Sequence, residues 1–330
     1  MLHLHTPAGS LAQRPPDLSG TLPSGVVWVD IQSGDAAELA YIERVTGLHI
    51  PTLAELSEIE NSSRLRTSHG ALYLSVPLVA HAQQGMPVTT PVGLLLTRNL
   101  LVTVRFAELT SFNAFAANFA ADGDHHPSAA GAFIGLMEAL IDRVADVLEG
   151  IGSDLDRASQ AIFCVDTNGT NLRLAPAKAS THLRDMLRRI GQGGDLASKI
   201  RDSLLGLTRI LAYVETIGAD YLPSELLVRI KAQRQDTLSL TDYNSQLANK
   251  VQLLIDATMG FINIEQNNII KVLTVVSVVG VPPTLFASIY GMNFRHMPEL
   301  DWAWGYPYGL GVIVLSAILP ILWFKVRGWL

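Results

Sequence analysis

The chain has 330 residues, enough for a sizeable core and for more than one domain. Its net charge of −6, with no basic cluster, argues against a nucleic-acid partner. Cys164 is the only cysteine, which excludes an intrachain disulfide and fits a reducing compartment; it reads as a small buried or half-buried residue.

Residues 1–20 are rich in Pro, Ser and His and lack the apolar core of a secretory signal. Residues 1–25 therefore read as a disordered tail, with His3 and His5 solvated rather than metal-bound. Residues 26–130 read as a compact cytoplasmic α/β domain. Val26-Val27-Trp28-Val29-Asp30-Ile31 is a strand by composition, and 35–46 is helix-like. A second short helix is expected over 51–59, where Thr52 and Glu55 have the spacing of a capping box. Strands follow at 71–76, 92–97 and 100–104, the last two joined by a hairpin at Arg98-Asn99. The polar run 122–127, with Asp124, His125 and His126, reads as a solvated linker.

Residues 131–222 form the helical part of the cytoplasmic domain. Phe133, Leu136, Met137, Leu140, Ile141, Val144, Leu148, Ile151 and Leu155 recur at helical spacing, and further helices are expected over 174–190 and 196–217. From Ser224 no proline interrupts the chain until Pro282. One long helix is expected there, a stalk over 223–271 that continues into a membrane span. Residues 272–290 and 306–324 carry no charge, and each run is about nineteen residues, close to the ~20 that cross a ~30 Å hydrocarbon core. Residues 272–330 are thus a two-helix transmembrane hairpin with an external loop over 291–305. Trp302, Trp304, Tyr306 and Tyr308 supply an interfacial aromatic belt. Lys271, Lys325 and Arg327 against Arg295 alone in the turn place both termini in the cytoplasm.

At ~100° per residue, Asn267, Thr274, Ser277, Thr284 and Ser288 fall within roughly a third of the helix circumference. Ile270 and Val281 share that sector and Leu273 borders it. Such a stripe suits either a pore with dry constrictions or hydroxyl glue between helices. A pore needs several copies of the hairpin, because one hairpin encloses nothing. Pro282-Pro283 removes backbone donors within the span and is expected to bend or loosen it. No Walker-A sequence, dinucleotide fingerprint or metalloprotease helix motif is present, so the chain does not read as an enzyme and needs no enzymatic cofactor.

Between the two apolar runs stands Tyr290-Gly291-Met292-Asn293-Phe294, followed by Met297-Pro298-Glu299-Leu300 and the tail Phe324-Lys325-Val326-Arg327-Gly328-Trp329-Leu330. These stretches, with Trp28-Val29-Asp30, Glu60-Asn61-Ser62-Ser63-Arg64 and residues 96–105, resemble the CorA family of divalent-cation channels. The resemblance covers most of the chain and implies an α+β cytoplasmic domain, a long helical stalk and a C-terminal transmembrane hairpin, assembled as a homopentameric funnel in a bacterial inner membrane. It implies that Gly291, Met292 and Asn293 form the selectivity mouth. An amide oxygen on Asn293 suits Mg²⁺, which gives up its water reluctantly and is recognised through its hydration shell. The same resemblance favours the pore reading, with Asn267, Thr274, Ser277, Thr284 and Ser288 lining the path and Ile270, Leu273 and Val281 as a hydrophobic gate. Lys325 and Arg327 become a cytoplasmic basic ring, and Glu299 and Asp301 concentrate cations at the mouth or hold the external loop in shape. Of the candidate regulatory metal positions, Asp256 falls in a stretch that matches the family near the membrane and Asp236 and Asp242 lie on the stalk, but no acidic pair matches the family's sensor, and all three read rather as solvated stalk carboxylates.

The expected function is gradient-driven passage of hydrated Mg²⁺, with Co²⁺ or Ni²⁺ as further substrates. The nearest alternative is Zn²⁺ transport, as in the sister ZntB branch, although Met297-Pro298-Glu299-Leu300 favours the CorA branch. A different class of alternative is a membrane-tethered scaffold or metal sensor that conducts nothing.

Overall fold

The computed structural model describes residues 1–7, 9–11, 20–58, 60, 64–82, 87–121, 128–163, 176–218, 221–292, 297–298 and 302–329. Among the described residues there are seven strands: β1 (Leu2–Thr6), β2 (Gly9–Leu11), β3 (Trp28–Gln32), β4 (Leu65–Ser68), β5 (Ala71–Ala80), β6 (Val88–Leu96) and β7 (Leu101–Arg105). They form one sheet in the order β2-β1-β3-β7-β6-β5-β4, in which β3 and β7 pair parallel and every other neighbour pairs antiparallel. The helices are α1 (Ala36–Thr46), α2 (Leu53–Leu56), α3 (Thr110–Ala121), α4 (Ala129–Phe163), α5 (Pro176–Ile217), α6 (Ser224–Tyr290) and α7 (Gly305–Val326).

Two compact units result. The first comprises Met1–Phe163 and Arg188–Leu254, the second Cys164–Leu187 and Ile255–Leu330. In the first unit, strand alternation sends Leu2, Leu4, Val29, Ile31, Tyr73, Leu95, Val102 and Val104 to one face, where they pack with Tyr41, Ile42 and Leu56 from α1 and α2. Both helices start from complete capping boxes, Asp35 with Glu38 and Thr52 with Glu55. On the other face Trp28 meets Phe115 and Phe119 at ring-centroid distances of 5.2 and 5.8 Å. Gly206 on α5 approaches so closely that a Cβ there would lie 2.8 Å from Val76.

That second face also buries charge. Arg105 donates from Nη2 and Nε to Asp30 Oδ2 at 2.9 and 3.0 Å, and Thr103 Oγ1 donates to Asp30 Oδ1 at 2.7 Å. Trp28 Nε1 donates to Thr103 Oγ1 at 3.1 Å, which closes a network across the parallel β3–β7 pair. The Arg105 guanidinium also lies 5.2 Å from the Phe112 ring centroid. Breaking a buried pair of this kind by removing one partner costs about 3–5 kcal/mol.

Several expectations change. The proposed disordered tail instead contains β1, which pairs antiparallel with β3, so Leu2 and Leu4 are core residues. A short apolar alternation, Leu2 and Leu4 around His3, gave little periodic signal but completes the sheet. His5 is buried and stacked on Trp28 at 4.1 Å, which fits neither the solvated nor the metal-bound reading. β4 was not anticipated, because Leu65-Arg66-Thr67-Ser68 is largely polar and lies at the sheet edge. α5 is one helix where two were expected. Its glycines do not break it: a Cβ on Gly194 would lie 3.0 Å from Val251 on α6, so Gly194 serves close helix approach. Helix α2 is shorter than expected. The Asp124-His125-His126 run and Cys164 lie outside the described residues.

Burial pushes the His5 imidazole down to about 4, with Asp30 opposing the shift. His5 is therefore neutral in the native state at pH 7, whereas in the unfolded chain it takes up a proton below about 6.5. Its contribution is complete above pH 6.5 and is lost as pH falls toward 4, by on the order of 3 kcal/mol. Thermal unfolding of the wild type and His5→Phe across this window should show a steeper acid loss in the wild type, since Phe keeps the stack on Trp28 without a proton to bind.

Candidate functional site

The second unit contains the C-terminal half of α6 and the whole of α7. Both helices are long and apolar enough to cross a membrane. Helix α6 runs without interruption through Pro282 and Pro283 to Tyr290.

Five residues of α6, Val275, Val279, Pro283, Phe286 and Tyr290, are half-buried and lie on one side of the helix. The residues proposed for the pore lie on the opposite side. There Asn267, Ile270, Leu273, Ser277, Val281, Thr284 and Ser288 are exposed and Thr274 is half-buried. From Asn267 to Ser288 the stripe spans ~32 Å of helix. Thr274 Oγ1 donates to Ile270 O and Thr284 Oγ1 to Gly280 O, both at 2.7 Å. Each hydroxyl proton is thus committed to its own helix, while the oxygen lone pairs stay available as acceptors.

Helix α7 shows a matching covered stripe. Gly305, Gly309, Val312, Ile313, Ser316, Ala317 and Pro320 are half-buried and Phe324 is buried, while the rest of the helix is exposed. Small residues on this stripe permit close helix contact. A Cβ added at Gly309 would lie 3.9 Å from the Tyr290 ring, which ties the start of α7 to the end of α6.

At the end of α6, Gly291 N donates to Ala287 O at 3.0 Å and Met292 N to Ile289 O at 3.2 Å. A Cβ on Gly291 would sit 3.2 Å from Ala287 O, so the absence of a side chain suits this tight helix end. Met292 is exposed. Asn293, Glu299 and Asp301 lie outside the described residues. Trp302, Trp304, Tyr306 and Tyr308 are all exposed, and the Trp302 and Tyr308 rings pack at 5.7 Å. At the other end of α7, Trp329 folds back to stack on Phe324 at 5.5 Å and Arg327 lies 5.4 Å from the Trp323 ring centroid. Lys325 and Arg327 are both exposed.

The three stalk carboxylates are not brought together. Asp236, Asp242 and Asp256 are exposed at separate levels along α6, with Asp256 in the second unit and the other two in the first. Among the described residues no group of three or more His, Cys, Asp or Glu side chains is placed to hold a metal ion. Asp236 instead adds to a carboxylate cluster on α4. Partial burial and then the charges of Glu138, Asp146 and Asp236 raise the Asp142 carboxyl above its ordinary value. Arg229 pairs with Glu138 at 2.6 Å in the same region. The four-residue spacing of Glu138, Asp142 and Asp146 was a legible sign of this acidic ridge, and sequence reasoning passed over it.

The family model described as CorA-like Mg²⁺ transporter protein matches residues 23–325. The chain is 32% identical over 307 residues to the magnesium transport protein CorA of Pasteurella multocida, covering 93% of both chains. It is 32% identical over 304 residues to the magnesium transport protein CorA of Salmonella typhimurium, covering 92% of both. Its fold is similar to the complete CorA magnesium transporter of Methanocaldococcus jannaschii, with a TM-score of 0.73 at 16% identity, over 100% of this chain and 99% of that one. Over 79% of this chain and 96% of the other, it is similar to the ZntB cytoplasmic domain of Vibrio parahaemolyticus, with a TM-score of 0.53 at 11% identity.

Because the Asp142 carboxylate is crowded by like charge, Asp142→Asn should leave stability at pH 7 unchanged or raise it by up to ~1 kcal/mol. Thermal unfolding of the full chain at pH 7 checks this, and a clear loss of stability would contradict the ridge as described.

Proposed function

Since the chain belongs to the CorA-like Mg²⁺ transporter family, we propose that it is a homopentameric inner-membrane channel that passes hydrated Mg²⁺ down its electrochemical gradient. Both termini lie in the cytoplasm and the 291–305 loop outside, in keeping with Lys271, Lys325 and Arg327 flanking the spans. The observation that carries the reading is the two-sided character of α6. Its polar stripe lies on the exposed side of a helix whose last nineteen residues carry no charge, opposite a side that is already half-covered. Hydroxyl and amide groups facing hydrocarbon are costly. Five copies packed about an axis put those groups against water instead.

In this arrangement Asn267, Thr274, Ser277, Thr284 and Ser288 line the path. A hydrated cation presents water protons outward, so its pore needs acceptors rather than donors. Thr274 and Thr284 meet that need, because their own protons are already given to Ile270 O and Gly280 O. Ile270, Leu273 and Val281 interrupt the polar rings with apolar ones, which close a narrow pore by excluding water. Gly291, Met292 and Asn293 form the outer mouth, where neutral amide oxygens hold the hydration shell without trapping the ion. Glu299 and Asp301 raise the local cation concentration, and Lys325 with Arg327 forms a basic ring at the cytoplasmic exit. Co²⁺ and Ni²⁺, which also carry tightly held water, are further substrates. Asp236, Asp242 and Asp256 are candidate Mg²⁺-sensing positions, each completed by a neighbouring copy.

Ion influx into liposomes under an inside-negative potential, with Mg²⁺ and Zn²⁺ supplied separately, tests the function. Mg²⁺ influx that grows with the potential and drops by about tenfold or more in Asn293→Ala is expected, as for loss of one ring of hydrogen-bond acceptors at the mouth. Zn²⁺ influx without Mg²⁺ influx would assign the chain to zinc transport, and no influx of either ion would leave a non-conducting scaffold. The gate has its own test. Val281→Ser wets an apolar constriction, so Mg²⁺ influx at fixed potential should rise several-fold over the wild type, and an unchanged rate would remove Val281 from the gate.

A further inference from the structure

A cleft of about 230 Å³ opens on the α1/α2 face of the sheet, between α2 and the β4–β5 edge, and no part of the transport reading uses it. Its walls combine an apolar floor with a cationic rim. Pro51, Leu56 and Leu95 supply the floor and Arg64 and Arg66 the rim. The cleft is built from the strand register. Arg66 on β4 pairs with Tyr73 on β5, and Tyr73 with Leu95 on β6. Ser75, on the same side of β5 as Tyr73, donates from Oγ to Leu56 O at 3.2 Å and pins the end of α2 to the sheet. Opposite Ser75, Gly93 has no side chain, and a Cβ there would approach both Leu56 methyl groups at 3.1 Å. Helix α2 therefore sits down on Gly93, and the described residues leave the space beside it open.

The two guanidinium groups are held but not neutralised. Arg64 donates from Nε to Glu58 O at 2.7 Å, which anchors its inner nitrogen and leaves its outer two for a ligand. The Arg66 guanidinium lies 4.8 Å from the Tyr73 ring centroid. Among the described residues neither arginine forms an ion pair, although carboxylates stand nearby. Glu55 is fully engaged elsewhere: its Oε2 accepts from Thr52 N and Oγ1, and its Oε1 meets His49 Nε2 at 3.1 Å. The opposing charge on the rim is that of Glu58 and of Glu55, whose bonds to Thr52 and His49 keep it ionised while turning its oxygens toward them. Below Arg66 the Tyr73 hydroxyl is buried without a partner, a costly state that an entering acceptor relieves when Arg66 swings off the ring.

The geometry points to a binding site for a small organic phosphate monoester in the first unit. Two planar guanidinium forks match the charge and the oxygen geometry of a phosphate dianion, and each can bind it bidentately. The floor of Pro51, Leu56 and Leu95 accepts a short carbon body, and the volume suits a small metabolite. The inference is independent of the transport reading, because its test reads binding and not ion flux.

Isothermal titration of the purified full-length protein in detergent, with glycerol 3-phosphate, inorganic phosphate and glycerol as separate titrants, tests the site. Saturable binding of glycerol 3-phosphate is expected, tighter than inorganic phosphate and with no signal from glycerol. Arg66→Ala should weaken it by about tenfold or more, as for loss of a charge-assisted bidentate contact. Arg66→Lys, which keeps the charge without the planar fork, should fall between, and Tyr73→Phe should weaken binding several-fold while the ring stays in place. Equal affinity for inorganic phosphate would overturn the organic part of the assignment. Unchanged affinity in Arg64→Ala and Arg66→Ala, or no saturable heat in a wild type with a normal unfolding transition, would overturn the site.

Discussion

A helix that carries amide and hydroxyl groups along one side of an otherwise apolar, uncharged stretch cannot leave that side in hydrocarbon. This constraint governs the C-terminal third of the protein. Half-buried Val275, Val279, Pro283, Phe286 and Tyr290 occupy one side of α6, and the side bearing Thr274, Ser277, Thr284 and Ser288 lies opposite. In the proposed assembly the second side is satisfied by water and by the ion's hydration shell, so the channel is the solution to a desolvation problem. The threonine hydroxyls then act as acceptors because their protons are tied to the backbone one turn earlier.

The first unit rests on a different interaction. Asp30 and Arg105 form a buried ion pair across the one parallel strand pair of the sheet, and Thr103, Trp28 and Phe112 surround it. Such a pair adds little net stability over an apolar replacement, but it tolerates no mismatch, since a slipped register would leave a charge alone in the core. It therefore specifies how β3 meets β7. The same device explains why β1 is ordered. His5 stacks on Trp28 beside the network, and Leu2 and Leu4 fill the opposite face. The two faces carry different work, with α3, α4 and α5 over the charged network and α1 and α2 over the apolar face that holds the arginine-rimmed cleft.

Local chemistry made much of this legible. The Thr52 and Glu55 spacing announced a capping box that the structure contains in full, with both reciprocal bonds formed. The apolar rhythm from Phe133 to Leu155 announced a helix whose named residues are all buried. Where the signal was weak, the physical reason is visible. β1 is too short for its alternation to stand out and β4 is largely polar, and each pairs with a neighbouring strand that offers it hydrogen bonds. The two helices expected over 174–190 and 196–217 are one, and between them Gly194 is a point of close contact with Val251, which no local propensity reports.

From the sequence alone came the two uncharged runs of spanning length, the long proline-free stretch ahead of them, the polar sector on the first span and the Gly291-Met292-Asn293 triplet. These are properties of composition and period, which a one-dimensional chain displays directly. Only the tertiary structure decided which side of α6 is already covered and which is left open. It also decided that Asp30 meets Arg105 across 75 residues of chain, that Asp236 adds to a carboxylate ridge on another helix, and that Arg64 and Arg66 stand beside a cleft with no ion pair among the described residues. Those facts depend on pairwise distances between residues far apart in sequence, and such distances are settled by packing and burial rather than by any local pattern.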